Sequence, residues 1–284
     1  MTQSTEVKAT DVQKLRQTTG AGMMECKKAL QDASGDFEKA IQLLRERGIA
    51  KSSKRADRAA AEGIIDFWIS PDQKEGILLE LNCETDFVAR NSEFINLAKY
   101  YLGYVQSNSQ ITTAEQIPIE KLEEFSGKVG EKMGIRRFVR FRTNSGIVAP
   151  YIHSGSKLGV LVQIDSNKGV TSELSLLSKE ITLQIAGANP LYLTKDEVPQ
   201  EILEREKDIA KKQMADQKKP PEILEKIAVG KLQQFFDANC LVDQPHIKDG
   251  SGKTKMKDLV EATQQKEGSQ IKIIKFVRFR VGAE

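Results

Sequence analysis

Apolar positions recur at helical spacing through the first fifty residues and at strand-like spacing soon after, so the chain opens on helices and continues into sheet. Val12 and Leu15 lie on one side of a short helix, for which Thr10 and Gln13 have the spacing of a capping box, and TTGAG at Thr18 to Gly22 breaks it. A second helix carries Met23, Cys26, Leu30 and Ala33 on one stripe. After Ser34-Gly35-Asp36, Phe37, Ala40, Ile41 and Leu44 take the i, i+3, i+4, i+7 positions of a third, which Gly48 is expected to end. A three-helix module this small falls below the length at which lone cores are comfortable, so it should work attached to something larger. From Lys51 to Arg58 the chain is basic and then alanine-rich as far as Gly63, the pattern of a linker helix. No aromatic interleaves with those charges, which favours a solvated connector over a nucleic-acid stripe.

Beyond Gly63 the pattern repeats itself. FVRFR stands at 138–142 and again at 276–280, each time closing a segment that begins with a strand pair. The openings correspond at an offset of 83 residues, EGIIDFWISPDQKEGILLEL from Glu62 against SGIVAPYIHSGSKLGVLVQI from Ser145, which matches Gly63 to Gly146 and Gly76 to Gly159. SEFINLAK at Ser92 likewise answers SELSLLSK at Ser172. Because the offset grows to 138 at the closing strands, the second copy holds about 55 residues that the first lacks, between Ser172 and Phe276. There, Glu197 to Gln217 and Glu222 to Phe236 are charge-rich helical stretches on either side of KKPP, whose Pro220 and Pro221 permit a turn and then a helix start. Ile202, Leu203 and Ile209 against Ile223, Leu224 and Ile227 form a narrow seam. The expected fold is α+β: an N-terminal three-helix module (1–50), a linker helix (51–62), a core of two repeated α+β subdomains (63–144, and 145–190 with 237–284), and an inserted antiparallel helical hairpin (191–236).

Composition narrows the class. At 284 residues, 39% hydrophobic and 29% charged, the chain is a globular protein of more than one unit. Its 43 Lys+Arg against 40 Asp+Glu leave a net charge of +3, too little to imply nucleic acid or an anionic membrane held by bulk charge. No apolar run approaches the roughly 18 residues that span a bilayer. The opening MTQSTEVKATDVQ has neither the apolar stretch of a signal peptide nor the arginines of a transit peptide, so a cytoplasmic location is expected. Cys26, Cys83 and Cys240 are far apart with no paired spacing, which suits small buried hydrophobes in a reducing compartment and no metal site.

Three features invite other readings. GSGKT at Gly250 to Thr254 looks like the end of a phosphate-binding loop, but the glycine that loop needs five residues before Gly252 is Ile247, and Pro245-His246 makes a poor strand. The FVRFR strands resemble part of an RNA-recognition strand, yet the upstream glycine and exposed aromatic of that motif fall on Ile135 and Arg136. Alternation puts Val139 and Phe141 on one face and Arg140 and Arg142 on the other, as it does Val277 and Phe279 against Arg278 and Arg280, so a half-buried strand with a basic outer face explains both. The histidines are His153 and His246, and nothing near Cys83 supplies a second base, so neither a catalytic constellation nor a cofactor is expected.

NCETDFVARN, from Asn82 to Asn91, follows the apolar strand Ile77 to Leu81 and precedes the helix near Ser92, and so occupies a strand-to-helix corner. Asp86 and Phe87 either sit at an exposed tip or serve as a cap and a core residue, and taken alone the residues favour cap and core. The matching corner of the second copy, DSNKGVTSEL, has no Asp-Phe pair, so the shared fold alone does not explain Phe87.

LRQTTGAGMMECKKAL (Leu15 to Leu30) and NCETDFVARN closely resemble the two signature segments of the bacterial translation elongation factor Ts family. The resemblance continues through KVGEKMGIRR, YIHSGSKLGVLV and the helical hairpin, in family order over nearly the whole chain. It implies a non-enzymatic guanine-nucleotide exchange factor that binds elongation factor Tu, GDP-bound and nucleotide-free, displaces Mg2+ and promotes GDP release during translation elongation. In that family the N-terminal module docks on the GTPase domain, and an Asp-Phe corner inserts between two helices beside the magnesium and phosphate site. By position, the resemblance makes Asp86 and Phe87 that wedge and Thr85 and Val88 its shoulders. It places Arg16, Met23, Met24 and Lys27 in the docking module and His153 at a partner contact, with Val129 and Gly130 as weaker contacts. It implies no membrane and no direct nucleic-acid partner, and composition leaves open whether the hairpin self-associates or lies free. The long bacterial form carries a further helical module after the last core strand; FVRFRVGAE closes this sequence, so that contact is expected to be missing. The competing reading is an RNA-associated translation or replication accessory protein using Arg140, Arg142, Arg278 and Arg280, which should lose affinity steeply with salt. A third, a cysteine-dependent enzyme, should fail when Cys83 is changed.

Overall fold

A computed structural model describes residues 7–19, 21–54, 58–214 and 221–283. Three helices come first: α1 (Ala9–Thr19), α2 (Met23–Asp32) and α3 (Phe37–Lys54). They enclose Val12, Leu15, Cys26, Ala29, Leu30, Ala33 and Ala40, with Phe37, Ile41 and Leu44 packed against them, close to the expected stripes except that Met23, at the start of α2, is exposed and Ala29 takes a place in the core. Two details differ from expectation. Thr10 lies inside α1 rather than at its cap, because the Lys8 carbonyl already accepts the Asp11 and Val12 N–H groups. The third helix runs through Gly48 to Lys54, so 51–54 continues α3 and is no separate helix; of the rest of the anticipated linker helix, 55–57 lie outside the described residues and 58–60 are not helical. A glycine inside a helix costs only about 1 kcal/mol relative to alanine, which packing readily offsets.

The repeat is visible in the topology. β1 (Glu62–Ile69) and β2 (Glu75–Cys83) form a hairpin; α4 (Asp86–Ala89), α5 (Ser92–Ser107) and α6 (Glu120–Val129) follow, and β3 (Gly134–Arg142) returns beside β2. The second copy runs β4 (Gly146–Ile152), β5 (Leu158–Ser166), α7 (Ser172–Ala188), α8 (Gln200–Met214), α9 (Pro221–Asn239), α10 (Met256–Glu267) and β6 (Ile271–Arg280). Its sheet has the order β4-β5-β6, antiparallel throughout, just as the first has β1-β2-β3. The fold is α+β, two copies of hairpin, helices and closing strand, with helices ahead of them and a helical hairpin inserted in the second.

Contacts divide the chain into two compact units, one of Met1–Asp66, Leu79–Phe138 and Val281–Glu284, the other of Phe67–Leu78 and Val139–Arg280. In the first, α3 lies against α6, which joins the leading helices to the first core copy. Phe94, Ala98, Tyr101, Leu102 and Val105 form the buried face of α5. Glu80, fully buried on β2, is matched by Arg137 Nε at 2.8 Å and accepts the Gly282 N–H at 3.1 Å, while Arg137 also donates to the Ala283 carbonyl at 3.1 Å. A buried carboxylate needs such partners, and these hold the end of the chain in this unit.

In the second unit, Val160, Val162 and Ile164 of β5, flanked by Ile147 and Ile273, pack on Leu174, Leu177, Ile181 and Ile185 of α7 and on Met256. The inserted hairpin pairs α8 with α9, and Ala210 is buried in its seam. Of the expected seam residues, Ile202, Leu203 and Ile227 are half-buried and Ile209 is partly exposed, while Ile223 and Leu224 have side chains outside the described residues. At its root, the Leu191 and Tyr192 N–H groups donate to the Asn239 carbonyl, Leu241 N–H to Tyr192, and Val242 N–H to Leu193.

One buried polar contact is readily tested. The Tyr101 hydroxyl accepts the Leu122 N–H at 3.1 Å, an early amide of α6 with no partner within its own helix. Burial, only partly opposed by that bond, pushes the phenol up to about 12, so it stays protonated. Tyr101→Phe keeps the packing and orphans the amide; it should cost about 1–3 kcal/mol, measurable by urea denaturation.

Candidate functional site

The corner begins where β2 ends, at the buried Cys83, whose thiol donates to the Thr85 carbonyl at 3.2 Å. Thr85 is extended (φ −120°, ψ 154°), and its hydroxyl oxygen accepts the Val88 N–H at 3.3 Å, so Thr85, not Asp86, caps the single turn α4. That turn ends almost at once because Asn91 caps α5, its side-chain oxygen accepting the Glu93 N–H at 2.8 Å. Ala89 faces inward and is buried, Val88 is half-buried, and Phe87 points the other way. Its ring is 82% exposed, so Phe87 is no core residue and the exposed-tip alternative is the one observed. Asp86 lies beside it, paired with Arg90 at 3.0 Å in a largely exposed ion pair of little energetic weight.

An acid from a distant part of the chain holds this corner in place. Glu131 follows α6, and its Oε2 accepts the Thr85 N–H at 3.0 Å and the Glu84 N–H at 3.2 Å, while Oε1 accepts the Thr85 hydroxyl at 2.6 Å. The Glu131 carbonyl in turn accepts the Ser126 hydroxyl at 2.5 Å. Glu84 makes a second layer: its Oε1 accepts the Lys132 N–H at 2.6 Å and lies 3.3 Å from Arg58, and the Lys132 ammonium donates to the Arg58 carbonyl at 2.9 Å. Glu84 and Glu131 both fall in segments that carry the family resemblance, NCETDFVARN and KVGEKMGIRR, but the sequence does not show what they hold, because the bonds that join these two segments span 46–48 residues.

The other anticipated residues fall in three places. Arg16, Met23, Met24 and Lys27 are all exposed on α1 and α2; Met24 is 72% exposed and Met23, at the first position of α2, 45%. Two methionines that face solvent are adaptable apolar side chains of a kind enriched where proteins meet. Val129 is half-buried, and Gly130 ends α6 in the left-handed region (φ 80°), so this pair leads the chain into Glu131 and thereby to the Thr85 to Val88 corner. His153 is exposed in the turn between β4 and β5 in the second unit, its Nδ1 2.9 Å from the Tyr151 hydroxyl.

The misleading motifs also resolve. In the GSGKT loop, the amides that would cradle a phosphate are taken by the chain's own acid: Asp249 accepts the N–H groups of Ser251 (2.9 Å), Lys253 (3.1 Å) and Thr254 (2.7 Å) and the Ser251 hydroxyl (2.7 Å). The Thr254 N–H foremost, then the Ser251 hydroxyl, holds that carboxyl well below the usual range. The basic outer face of the closing strands is partly occupied as well. Arg140 has a side chain only 10% exposed and pairs with Glu75 at 3.4 Å, Arg142 pairs with Glu75 at 3.0 Å, and Arg278 donates to the Ala186 carbonyl at 3.3 Å. Alternation gives the direction of these side chains and not what covers them, and that cover weakens the RNA-binding reading. Among the described residues, no group of three or more His, Cys, Asp and Glu could hold a metal ion, and no helix is long and apolar enough to cross a membrane.

Comparison with known proteins adds an independent line. The profile of the family described as Elongation factor TS matches residues 84–283. A protein of Clostridium perfringens (strain SM101 / Type A) named Elongation factor Ts is 42% identical over 286 residues, covering 97% of this chain and 93% of its own length. The protein of that name from Clostridium botulinum (strain Eklund 17B / Type B) is 43% identical over 288 residues, with the same shares covered. That of Chlorobaculum tepidum is 39% identical over 290 residues, covering 98% of this chain and 99% of its own.

Proposed function

This chain belongs to the elongation factor Ts family of translation elongation factors, and on that premise we propose that it is a guanine-nucleotide exchange factor for elongation factor Tu. The observation that carries the reading is Phe87, an aromatic ring 82% exposed at the tip of a turn whose backbone is capped and clamped. A protein gains nothing in its own stability from displaying such a ring, whereas a partner's groove can bury it as an anchor.

In the proposed mechanism, the leading helices dock through Arg16, Met23, Met24 and Lys27, with His153 as a further contact. The corner Thr85 to Val88 then enters between two helices of the GTPase, beside its magnesium and phosphate site, with Phe87 holding those helices apart. Magnesium tolerates little departure from octahedral geometry, so a small displacement of its surroundings weakens metal and nucleotide together. Linkage makes the effect mutual: a factor that lowers nucleotide affinity is itself bound less tightly when nucleotide is present, so GDP leaves and GTP later expels the factor. No covalent step is needed.

The test is release of a fluorescent GDP analogue from purified elongation factor Tu. The full chain should raise the release rate well above the spontaneous one and, by coupling of ordinary size, weaken GDP binding by about 5- to 150-fold. Added GDP should loosen the protein–protein complex by the same factor. A release rate that stays spontaneous at every concentration of the chain would overturn the assignment.

A further inference from the structure

We propose that Glu131 is a positioning residue for the exchange corner: it makes no contact with the GTPase but fixes the backbone from which Phe87 projects. The inference rests on the exchange-factor reading and deepens it. α4 is too short to hold itself, since a single turn fixes several dihedral angles for very few hydrogen bonds. Its cap is Thr85, and the rotamer of Thr85 decides whether the Val88 N–H is capped. Glu131 sets that rotamer. With Oε1 on the Thr85 hydroxyl at 2.6 Å, the threonine proton is spent on the carboxylate and its lone pair is left facing Val88. With Oε2 on two successive amides, Glu84 and Thr85, the same carboxylate fixes the direction in which the strand turns into the corner. Charge-assisted bonds of this kind are about twice as strong as neutral ones.

The carboxylate is itself well founded. Glu131 comes directly after the left-handed Gly130 that ends α6, and its own carbonyl is tied to Ser126 of that helix at 2.5 Å. The corner is therefore referenced to α6, a helix that also contacts α3 of the leading module. The second copy of the repeat carries only part of this device: the Thr171 hydroxyl donates to the Glu267 carboxylate at the end of α10, with no pair of successive amides on that carboxylate among the described residues. There Thr171 caps α7 directly, its hydroxyl oxygen accepting the Leu174 N–H at 3.0 Å, with no extra turn and no projecting aromatic.

The experiment compares the full chain with Glu131→Gln, Glu131→Ala, Phe87→Ala and the double variant Phe87→Ala/Glu131→Ala, reading GDP-analogue release against factor concentration. Glu131→Ala should lower the maximal release rate about tenfold while shifting the half-saturating concentration less than about threefold, because the docking surface is intact. Glu131→Gln should recover only part of the loss and stay about threefold below wild type, since its amide oxygen can still accept the two backbone N–H groups while its nitrogen cannot accept the Thr85 hydroxyl. The double variant should be no slower than Phe87→Ala alone, because Glu131 acts only through the corner. Amide hydrogen exchange of the unbound variants, followed peptide by peptide, should speed up at 84–89 in Glu131→Ala and stay unchanged in α5 and β2. Losses that simply multiply in the double variant, or a Glu131→Ala protein with wild-type maximal rate, would overturn the proposal. Should Glu131→Ala unfold, Glu131→Gln decides by the same two readings. Were the unmodified chain to leave GDP release spontaneous, the exchange-factor reading would fail, while protection at 84–89 would still judge the clamp: protection unaltered by Glu131→Ala would overturn it too.

Discussion

Phe87→Ala should reduce the maximal rate of GDP release from elongation factor Tu by about 30-fold or more. An aromatic anchor in a partner's groove contributes about 2 kcal/mol or more, and about 1.4 kcal/mol corresponds to a factor of ten. Only contacts that are stronger once the nucleotide loosens can accelerate its departure, so the loss should fall on the maximal rate and less on the half-saturating concentration. The same substitution should leave the free protein's melting temperature almost unchanged, because a ring 82% exposed contributes little to the core. Asp86→Ala should have a smaller effect, since that side chain is shared with Arg90 in an exposed pair. A Phe87→Ala protein that melts normally and exchanges at the wild-type rate would remove the wedge from the mechanism and shift the burden to the docking helices.

The opposite profile is expected of Gly146→Ala, the largest predicted effect on stability. Gly146 opens β4 at φ +115°, facing Asp165 across the hairpin, and a Cβ there would lie 2.2 Å from the Ile164 carbonyl oxygen and 2.7 Å from the Asp165 Cα. Both the conformation and the contact are forbidden to alanine. Backbone strain and overpacking each cost about 1–3 kcal/mol, so a loss of about 3 kcal/mol or more is expected, seen as a drop in melting temperature of about 10 °C. Molecules that remain folded should exchange nucleotide normally. Gly63, at φ +147° and with a Cβ 2.1 Å from the Leu81 carbonyl oxygen, does the same work in the first copy.

That pair of glycines shows what a single sequence displays well. A steric demand on one backbone position leaves the same residue at the same place in both copies, which is why the offset of 83 could be read and the hairpins aligned. The stripes of α1 to α3 were legible for a similar reason, since burial repeats with the period of the helix. The exposure of Phe87 was legible only through the family resemblance, because hydrophobicity alone assigns an aromatic to the core, and it is the close succession of two caps, Thr85 and Asn91, that turns it outward. Glu131 was hidden more deeply. Its role exists only after α5 and α6 have folded back, and although it lies in KVGEKMGIRR, that segment does not tell what its carboxylate holds. Gly48 misled in the other direction, by a propensity too small to stop a helix with packing to gain.

The root of the helical hairpin bears on how such a chain can change in length. Hydrogen bonds between residues 191–193 and 239–242 make the polypeptide leave the second core copy for the hairpin and return to it at one spot. For ends already held side by side, closure entropy rises by only about 0.6 kcal/mol with each doubling of the intervening chain. The sheet β4-β5-β6 therefore senses the crossing point and is almost blind to the distance travelled beyond it. Turns of helix could be added to or taken from α8 and α9 together without a shift in strand register, which leaves the arm free to be fitted to whatever it reaches while the core stays as it is.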